Sequence, residues 1–178
     1  MSQNKKDEAL KLAKTVSIEL LEEKKSLHEI LQSCKTVCKY LGISDKNTWI
    51  DLELNGYLGV YRTKDDLYDN LPPYRKTGWS FYDVYGSVVQ LPPDILELFG
   101  KSVIYQPVSE IENNSHLIIP NQYLEKFNEF ITKHGMDQVS KSLRVHEAHI
   151  PNNELKKVID GIKTRTQEFL DNLILVLE

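Results

Sequence analysis

The run Arg-Val-His-Glu-Ala-His at residues 144–149 holds the side chains best suited to chemistry in this sequence. An arginine can bind a phosphate, and a histidine can transfer protons near neutral pH. Arg144 and His149 are therefore the candidate catalytic residues, the first as a phosphate-binding group and the second as an acid or base. Residues 142–150 alternate in polarity and run into Pro151, which predicts a strand. Because successive side chains of a strand alternate between its faces, Arg144 and His149 are expected on opposite faces.

The spacing of Arg144 and His149 resembles the R-x4-H active-site motif of HEPN ribonucleases, which lies on a helix rather than on a strand. His146 and His149 would diverge on a strand, so no metal site is predicted. Asp51 and Glu53 are two residues apart on a predicted helix and do not converge. The common phosphate-binding and hydrolase motifs are absent. The sequence therefore favours a non-enzymatic role and predicts no cofactor.

Composition restricts the classes of partner. The chain has 178 residues, with 22 Lys or Arg against 26 Asp or Glu, and its net charge is −4. An acidic chain is poorly suited to hold nucleic acid by charge alone. No apolar run is long enough to cross a bilayer, so no membrane partner is expected. Cys34 and Cys38 are predicted to be free and buried on one helix. Together with the polar start of the chain, this predicts a cytoplasmic location.

The order of helical and strand patterns along the chain predicts one α+β domain over residues 1–178. Residues 1–56 are predicted to form a three-helix bundle. Residues 57–150 are rich in predicted strands, which would form a central and mostly antiparallel sheet. Residues 151–178 keep one apolar face over several turns and are predicted to form a long C-terminal helix.

Local signals mark the ends of the N-terminal helices. Ser26 and Glu29 have the spacing of a capping box at the start of the second helix. Gly42 is expected to end that helix in the left-handed conformation. Gly56 is expected to end the third helix, with Tyr57 completing a Schellman motif.

Turn residues and alternation predict the elements of the middle of the chain. Residues 57–80 are interpreted as a long, irregular crossing loop. The predicted strands cover Trp79–Tyr85, Ser102–Val108, His116–Ile119 and Ser142–Ile150. The predicted helices cover Ile95–Phe99 and Asn121–His134, and Ser44 or Asp45 is expected to cap the third helix.

The segment W-x-x-x-E-L-N-G-Y at the end of the third helix is the most individual in the chain. An L-P-x-Y-R element follows it, and a basic position recurs in the C-terminal helix. The residues that carry the pattern are Trp49, Glu53, Asn55, Gly56, Tyr57, Tyr74, Arg75 and Arg165. With these elements the chain resembles the AbiTii domain of bacterial abortive-infection systems over nearly its whole length. Lys163 departs from the family, which usually has arginine there. The resemblance implies a toxin or effector of anti-phage defence and brings no catalytic motif.

Protein interaction is the expected mode of action. Eight aromatic residues crowd into residues 57–85 with arginines among them, a composition that favours interfaces. The apolar C-terminal helix reaches Glu178 without a cap, which predicts an oligomer seam or a longer chain. The expected partners are a second copy, the protein of a neighbouring gene and a phage-derived trigger. Two alternatives stay open: an RNA-cleaving toxin using Arg144 and His149, and a sensor that binds a phage protein through residues 61–85.

Overall fold

The helices and strands are defined by a computed structural model that describes residues 3–43, 49–61, 63–93, 95, 103–114, 117–134 and 143–178. These ranges contain seven α-helices, one 3-10 turn and three strands. The helices are α1 (Gln3–Leu21), α2 (Leu27–Tyr40), α3 (Trp49–Asn55), α4 (Lys64–Asn70), α5 (Val108–Asn113), α6 (Asn121–His134) and α7 (Asn152–Leu177). The strands are β1 (Ser80–Tyr82), β2 (Leu117–Ile118) and β3 (Glu147–Ile150), and the 3-10 turn covers Pro73–Arg75.

The three strands form one antiparallel sheet in the order β1-β3-β2. In the register of this sheet, Phe81 pairs with Ala148 and Leu117 pairs with Ile150. The predicted α+β class, with an antiparallel sheet and a long C-terminal helix, is confirmed.

The chain divides into two compact units. The first unit comprises Met1–Thr63, Tyr105–Asn113 and Lys157–Glu178, and the second comprises Lys64–Ile104 and Asn114–Lys156. The grouping of all residues into one domain stays a prediction.

Helices α1 and α2 supply much of the core of the first unit. Small residues on α1, among them Ala9 and Ala13, are completely buried. One face of α2 forms an apolar stripe that is buried at Leu27, Ile30, Leu31, Cys34, Val37 and Cys38. Full burial of an aliphatic side chain contributes about 1.5–3 kcal/mol, so this stripe is a main source of stability.

The start of α2 has two caps. The predicted capping box is confirmed: Glu29 N–H donates to Ser26 Oγ at 3.2 Å, and Ser26 N–H donates to Glu29 Oε2 at 3.0 Å. The Glu112 carboxylate on α5 accepts two further bonds, from the N–H groups of Leu27 and His28. Four backbone N–H groups of a helix start lack partners within the helix, and Glu112 satisfies two of them. This second cap joins α2 to a segment more than eighty residues away and has no local sequence signal.

The end of α2 confirms the prediction for Gly42, and the end of α3 corrects the prediction for Gly56. Gly42 has φ +70°, and the Ile43 N–H donates to the Cys38 carbonyl, so the Schellman motif lies at the end of α2. At the end of α3, the Gly56 N–H donates to the Leu52 carbonyl at 2.9 Å, which is the simpler αL cap. The Schellman motif predicted at Gly56 is wrong, because the Tyr57 N–H donates to the Tyr105 carbonyl instead.

The second unit has its core between the sheet and α6. Helix α6 covers the predicted range and buries Leu124, Phe127 and Ile131 on one face. The Phe127 ring stacks on that of Phe81 with 5.2 Å between centroids. Val145 and Ala148 are buried in the same cluster.

Three predictions for the middle of the chain need correction. The loop predicted at 57–80 contains the helix α4 and the 3-10 turn. The strand predicted at 102–108 is wrong: Val103 forms only an isolated bridge with Lys76, and Val108 begins α5. The last strand begins at Glu147, so Arg144 precedes it. The predicted helix at 95–99, apart from the buried Ile95, and the predicted caps at 44 and 45 lie outside the described residues.

Candidate functional site

The residues of the W-x-x-x-E-L-N-G-Y segment form a buried corner at the end of α3, called here the α3 corner. Glu53 has 0% of its surface exposed and Tyr57 has 1%. The Tyr57 hydroxyl donates to Glu53 Oε1 at 2.6 Å. A buried carboxylate is tolerated only when hydrogen bonds replace its lost hydration, and Tyr57 supplies such a bond. The pair therefore stabilises the fold and offers no exposed group to a substrate.

Gly56 lets the chain turn out of α3 against a neighbouring segment. Its φ is +82°, a conformation that favours glycine. A Cβ built there would lie 2.9 Å from the Tyr105 carbonyl oxygen, which already accepts the Tyr57 N–H. Asn55 at the same turn donates its side-chain amide to the Asp51 carbonyl at 2.9 Å. Backbone geometry and close packing both require the glycine.

Trp49 at the start of α3 contacts two residues of α7. The Arg165 guanidinium lies 4.6 Å from the centroid of the Trp49 ring, and Phe169 meets this ring edge to face at 5.9 Å. Both arrangements are favourable for the electrostatics of an aromatic ring. Arg165 therefore ties α7 to α3 within the first unit.

Tyr74 and Arg75 lie in the 3-10 turn of the second unit. Arg75 is completely buried, and its Nη1 donates to the Ile104 carbonyl at 3.0 Å. The Ile104 N–H donates back to the Arg75 carbonyl at 2.9 Å. Arg75 therefore holds the chain near Ile104 in place, and Tyr74 beside it is half-buried.

Arg144 and His149 do not line the same cleft in the structure. His149 lies on β3, with Nδ1 2.7 Å from Glu147 Oε1, and its ring stacks on Tyr82 at 4.5 Å. Arg144 is exposed and lies before the strand. It lines a cleft that His149 does not line. Neither residue is on a helix, so the geometry of a helical R-x4-H motif is not present.

Arg144 instead shares its cleft with His146. This cleft of the second unit has a volume of about 610 Å³ and is called here the Arg144 cleft. Its lining residues are Asp83, Val84, Asn121, Leu124, Glu125, Asn128, Arg144, Val145 and His146. Sequence reasoning treated His146 only as half of a metal pair. Residues two apart in an extended segment point to the same side of it. The spacing of Arg144 and His146 around the apolar Val145 is therefore the sequence signal that could have placed them together.

Hydrogen bonds hold the backbone on both sides of this pair. The Asn128 side-chain amide donates to the Val145 carbonyl and accepts the Val145 N–H, both at 2.8 Å. The His146 N–H donates to the Tyr82 carbonyl at 2.8 Å. Arg144 and His146 therefore project from a fixed segment of backbone.

The two cysteines are free and buried on α2, as predicted. Burial raises the pKa of the Cys34 thiol to about 12, and it also raises the pKa of Cys38. A protonated thiol is a poor ligand and a poor nucleophile. The described residues hold no group of three or more His, Cys, Asp or Glu side chains placed to bind a metal ion.

Exposed apolar side chains occur in both units. In the first unit they include Ile18 and Leu21 on α1 and Leu175 and Val176 on α7. In the second unit, Val84, Tyr85 and Val88 lie at the tip of a hairpin, where Tyr85 is 89% exposed. Of the aromatic residues at 57–85, Tyr57 and Phe81 are buried and belong to the fold. Among the helices in the described ranges, none combines the length and apolar character needed to cross a bilayer.

Similarity to known proteins agrees with the sequence pattern. No curated protein sequence and no solved structure is significantly similar to the chain. The family model of AbiTii, whose name refers to abortive infection, matches residues 11–173. Because this match covers most of the chain, the protein belongs to the AbiTii family.

Proposed function

We propose that the chain is an effector of abortive infection that acts through protein interaction, with a second copy or with the protein of a neighbouring gene. Ile18, Leu21 and Leu175 carry the proposal, and they are called here the α1/α7 surface. They are 54%, 69% and 75% exposed. Apolar side chains grouped on one exposed face mark interaction sites, because water contact with them is unfavourable.

These three residues lie along one side of a pair of neighbouring helices. The Gln167 side chain donates to Ser17 Oγ at 2.9 Å, which joins α7 to α1. A groove of about 400 Å³ runs beside this contact, and Leu21 and Asp171 are among its lining residues. Leu175 follows Asp171 by one turn and Ile18 precedes Leu21 by three residues, so both lie on the groove side of their helices.

Growth arrest and solution mass test the proposal together. Leu21→Glu combined with Leu175→Glu should abolish two effects expected of the wild type, growth arrest after tightly controlled induction and self-association measured by light scattering. The matched control is Leu58→Glu combined with Val60→Glu, since these side chains are also exposed, at 67% and 43%, but lie outside α1 and α7. Equal growth arrest in both double variants would overturn the proposal. Arrest lost without a change in mass would identify the neighbouring protein as the partner.

A phage-protein sensor is the second candidate, and the hairpin of the second unit favours it. Asp83 Oδ1 accepts the N–H groups of Tyr85 and Ser87, both at 2.8 Å, which holds the turn in one shape. A rigid, exposed tyrosine is typical of interface anchors. On the sensor reading, Tyr85→Ala should keep growth arrest on induction and lose plaque reduction. If Tyr85→Ala kept both growth arrest and plaque reduction, this role of the hairpin would be excluded.

A further inference from the structure

The Arg144 cleft contains polar side chains that self-association through α1 and α7 does not use. Within the part of the chain that the structure describes, the Arg144 and Asn121 side chains make no hydrogen bond or ion pair. An arginine with all its donors uncommitted, on a fixed backbone and beside a histidine, can receive an anionic group. Arginine is the side chain best shaped to bind a phosphate by two parallel hydrogen bonds.

The charges around Arg144 restrict the size of the anion. Asp83 and Glu125 line the same cleft, and Glu129 and Lys133 line an adjoining hollow of about 420 Å³. Three carboxylates against two cations leave a net negative charge, which repels a strand with many phosphates more strongly than a ligand with one. The surroundings suit a ligand with a single phosphate.

The other lining residues suit the remainder of a small ligand. Glu125 can accept hydrogen bonds from sugar hydroxyls, and the Asn121 amide can both donate to and accept from a base edge. Val84 and Leu124 provide apolar surface in the same cleft. The volume of about 610 Å³ lies within the usual range of small-molecule sites. We propose that the Arg144 cleft binds a nucleoside monophosphate, with its phosphate on Arg144 and His146.

Titration calorimetry with 5′-AMP on the full chain tests this site. The wild type should bind, and Arg144→Gln should weaken binding by about tenfold or more, because it removes the hydrogen bonds to the charged phosphate. Lys126→Gln is the matched control. It removes one exposed positive charge on α6 outside the lining of the cleft, so binding should change less than about twofold.

Two further measurements make the outcome decisive. Inorganic phosphate should bind much more weakly than 5′-AMP, since it contacts neither Asn121 nor Glu125. Asn121→Ala should weaken 5′-AMP and leave phosphate unchanged, and it carries the test if Arg144→Gln does not fold. No binding of 5′-AMP, or equal binding by the wild type and Arg144→Gln, would overturn the proposal. Equal binding of phosphate and 5′-AMP would overturn it as well, because the cleft would then recognise the anion alone.

This proposal does not rest on self-association. The variants at Leu21 and Leu175 should bind 5′-AMP as the wild type does, because neither residue lines the cleft. Failure of one proposal therefore leaves the other intact.

Discussion

The α3 corner and the Arg144 cleft are two polar regions with opposite character. In the corner, Glu53 and Tyr57 are completely or almost completely removed from water and bond to each other. In the cleft, Arg144 and His146 are exposed on a backbone that other groups hold in place. The comparison indicates that the sequence pattern of the corner maintains the fold. The exposed polar groups of the cleft lie outside the residues that carry the family pattern.

The largest expected effect is at Glu53. Glu53→Ala removes a buried side chain and leaves the Tyr57 hydroxyl without this acceptor, so the free energy of unfolding should fall by about 3–4 kcal/mol. Urea unfolding followed by circular dichroism measures this change.

Glu147→Ala is the control for Glu53→Ala in the second unit. Glu147 also bonds to a side chain, that of His149, but its own side chain is 47% exposed. Its loss should cost less than about 1 kcal/mol, because water can replace the bond. Similar losses for the two variants would contradict the view that burial distinguishes the two regions.

The second-largest loss of stability is expected at Gly56. Comparing Gly56→Ala with Gly42→Ala separates the cost of close packing from that of backbone strain. Gly42 and Gly56 both end helices with positive φ, but only at Gly56 would a Cβ meet another atom within 4 Å. Gly42→Ala should cost about 1 kcal/mol from the left-handed backbone alone. Gly56→Ala should cost about 2–3 kcal/mol, because its Cβ also meets the Tyr105 carbonyl. Thermal unfolding of both variants measures these losses of stability. Equal losses would mean that the segment around Tyr105 moves to make room for the new Cβ.

Local signals predicted the helices well and the contacts between distant segments poorly. The capping box at Ser26 and the whole of α6 follow from nearby residues, and both are confirmed. The Schellman motif was placed at Gly56 rather than Gly42. The Tyr105 carbonyl that captures the Tyr57 N–H comes from a distant part of the chain. The strand predicted at 102–108 failed for a similar reason, since isolated alternation does not guarantee a pairing partner.

The candidate site was found only in part. Sequence spacing pairs Arg144 with His149, whereas in the structure Arg144 lines the same cleft as His146. The deciding contact is between Asn128 and the Val145 backbone, which are 17 residues apart. An asparagine that pairs with a backbone segment in this way looks like any other polar residue on the surface of a predicted helix.

Asn128→Ala should have the smallest global effect of the three stability tests and a pronounced local effect. It removes two partly buried hydrogen bonds, and the free energy of unfolding should fall by about 1–2 kcal/mol. Hydrogen exchange at the Val145 amide should accelerate, since that N–H loses its acceptor. Asn113→Ala is the control, because the Asn113 side chain is exposed and donates to the Ser109 carbonyl of its own helix. If Asn128→Ala left Val145 exchange and 5′-AMP binding unchanged, the backbone around Arg144 would be held by other contacts. The hydrogen bond from the His146 N–H to the Tyr82 carbonyl would then be the contact that fixes the backbone of the cleft.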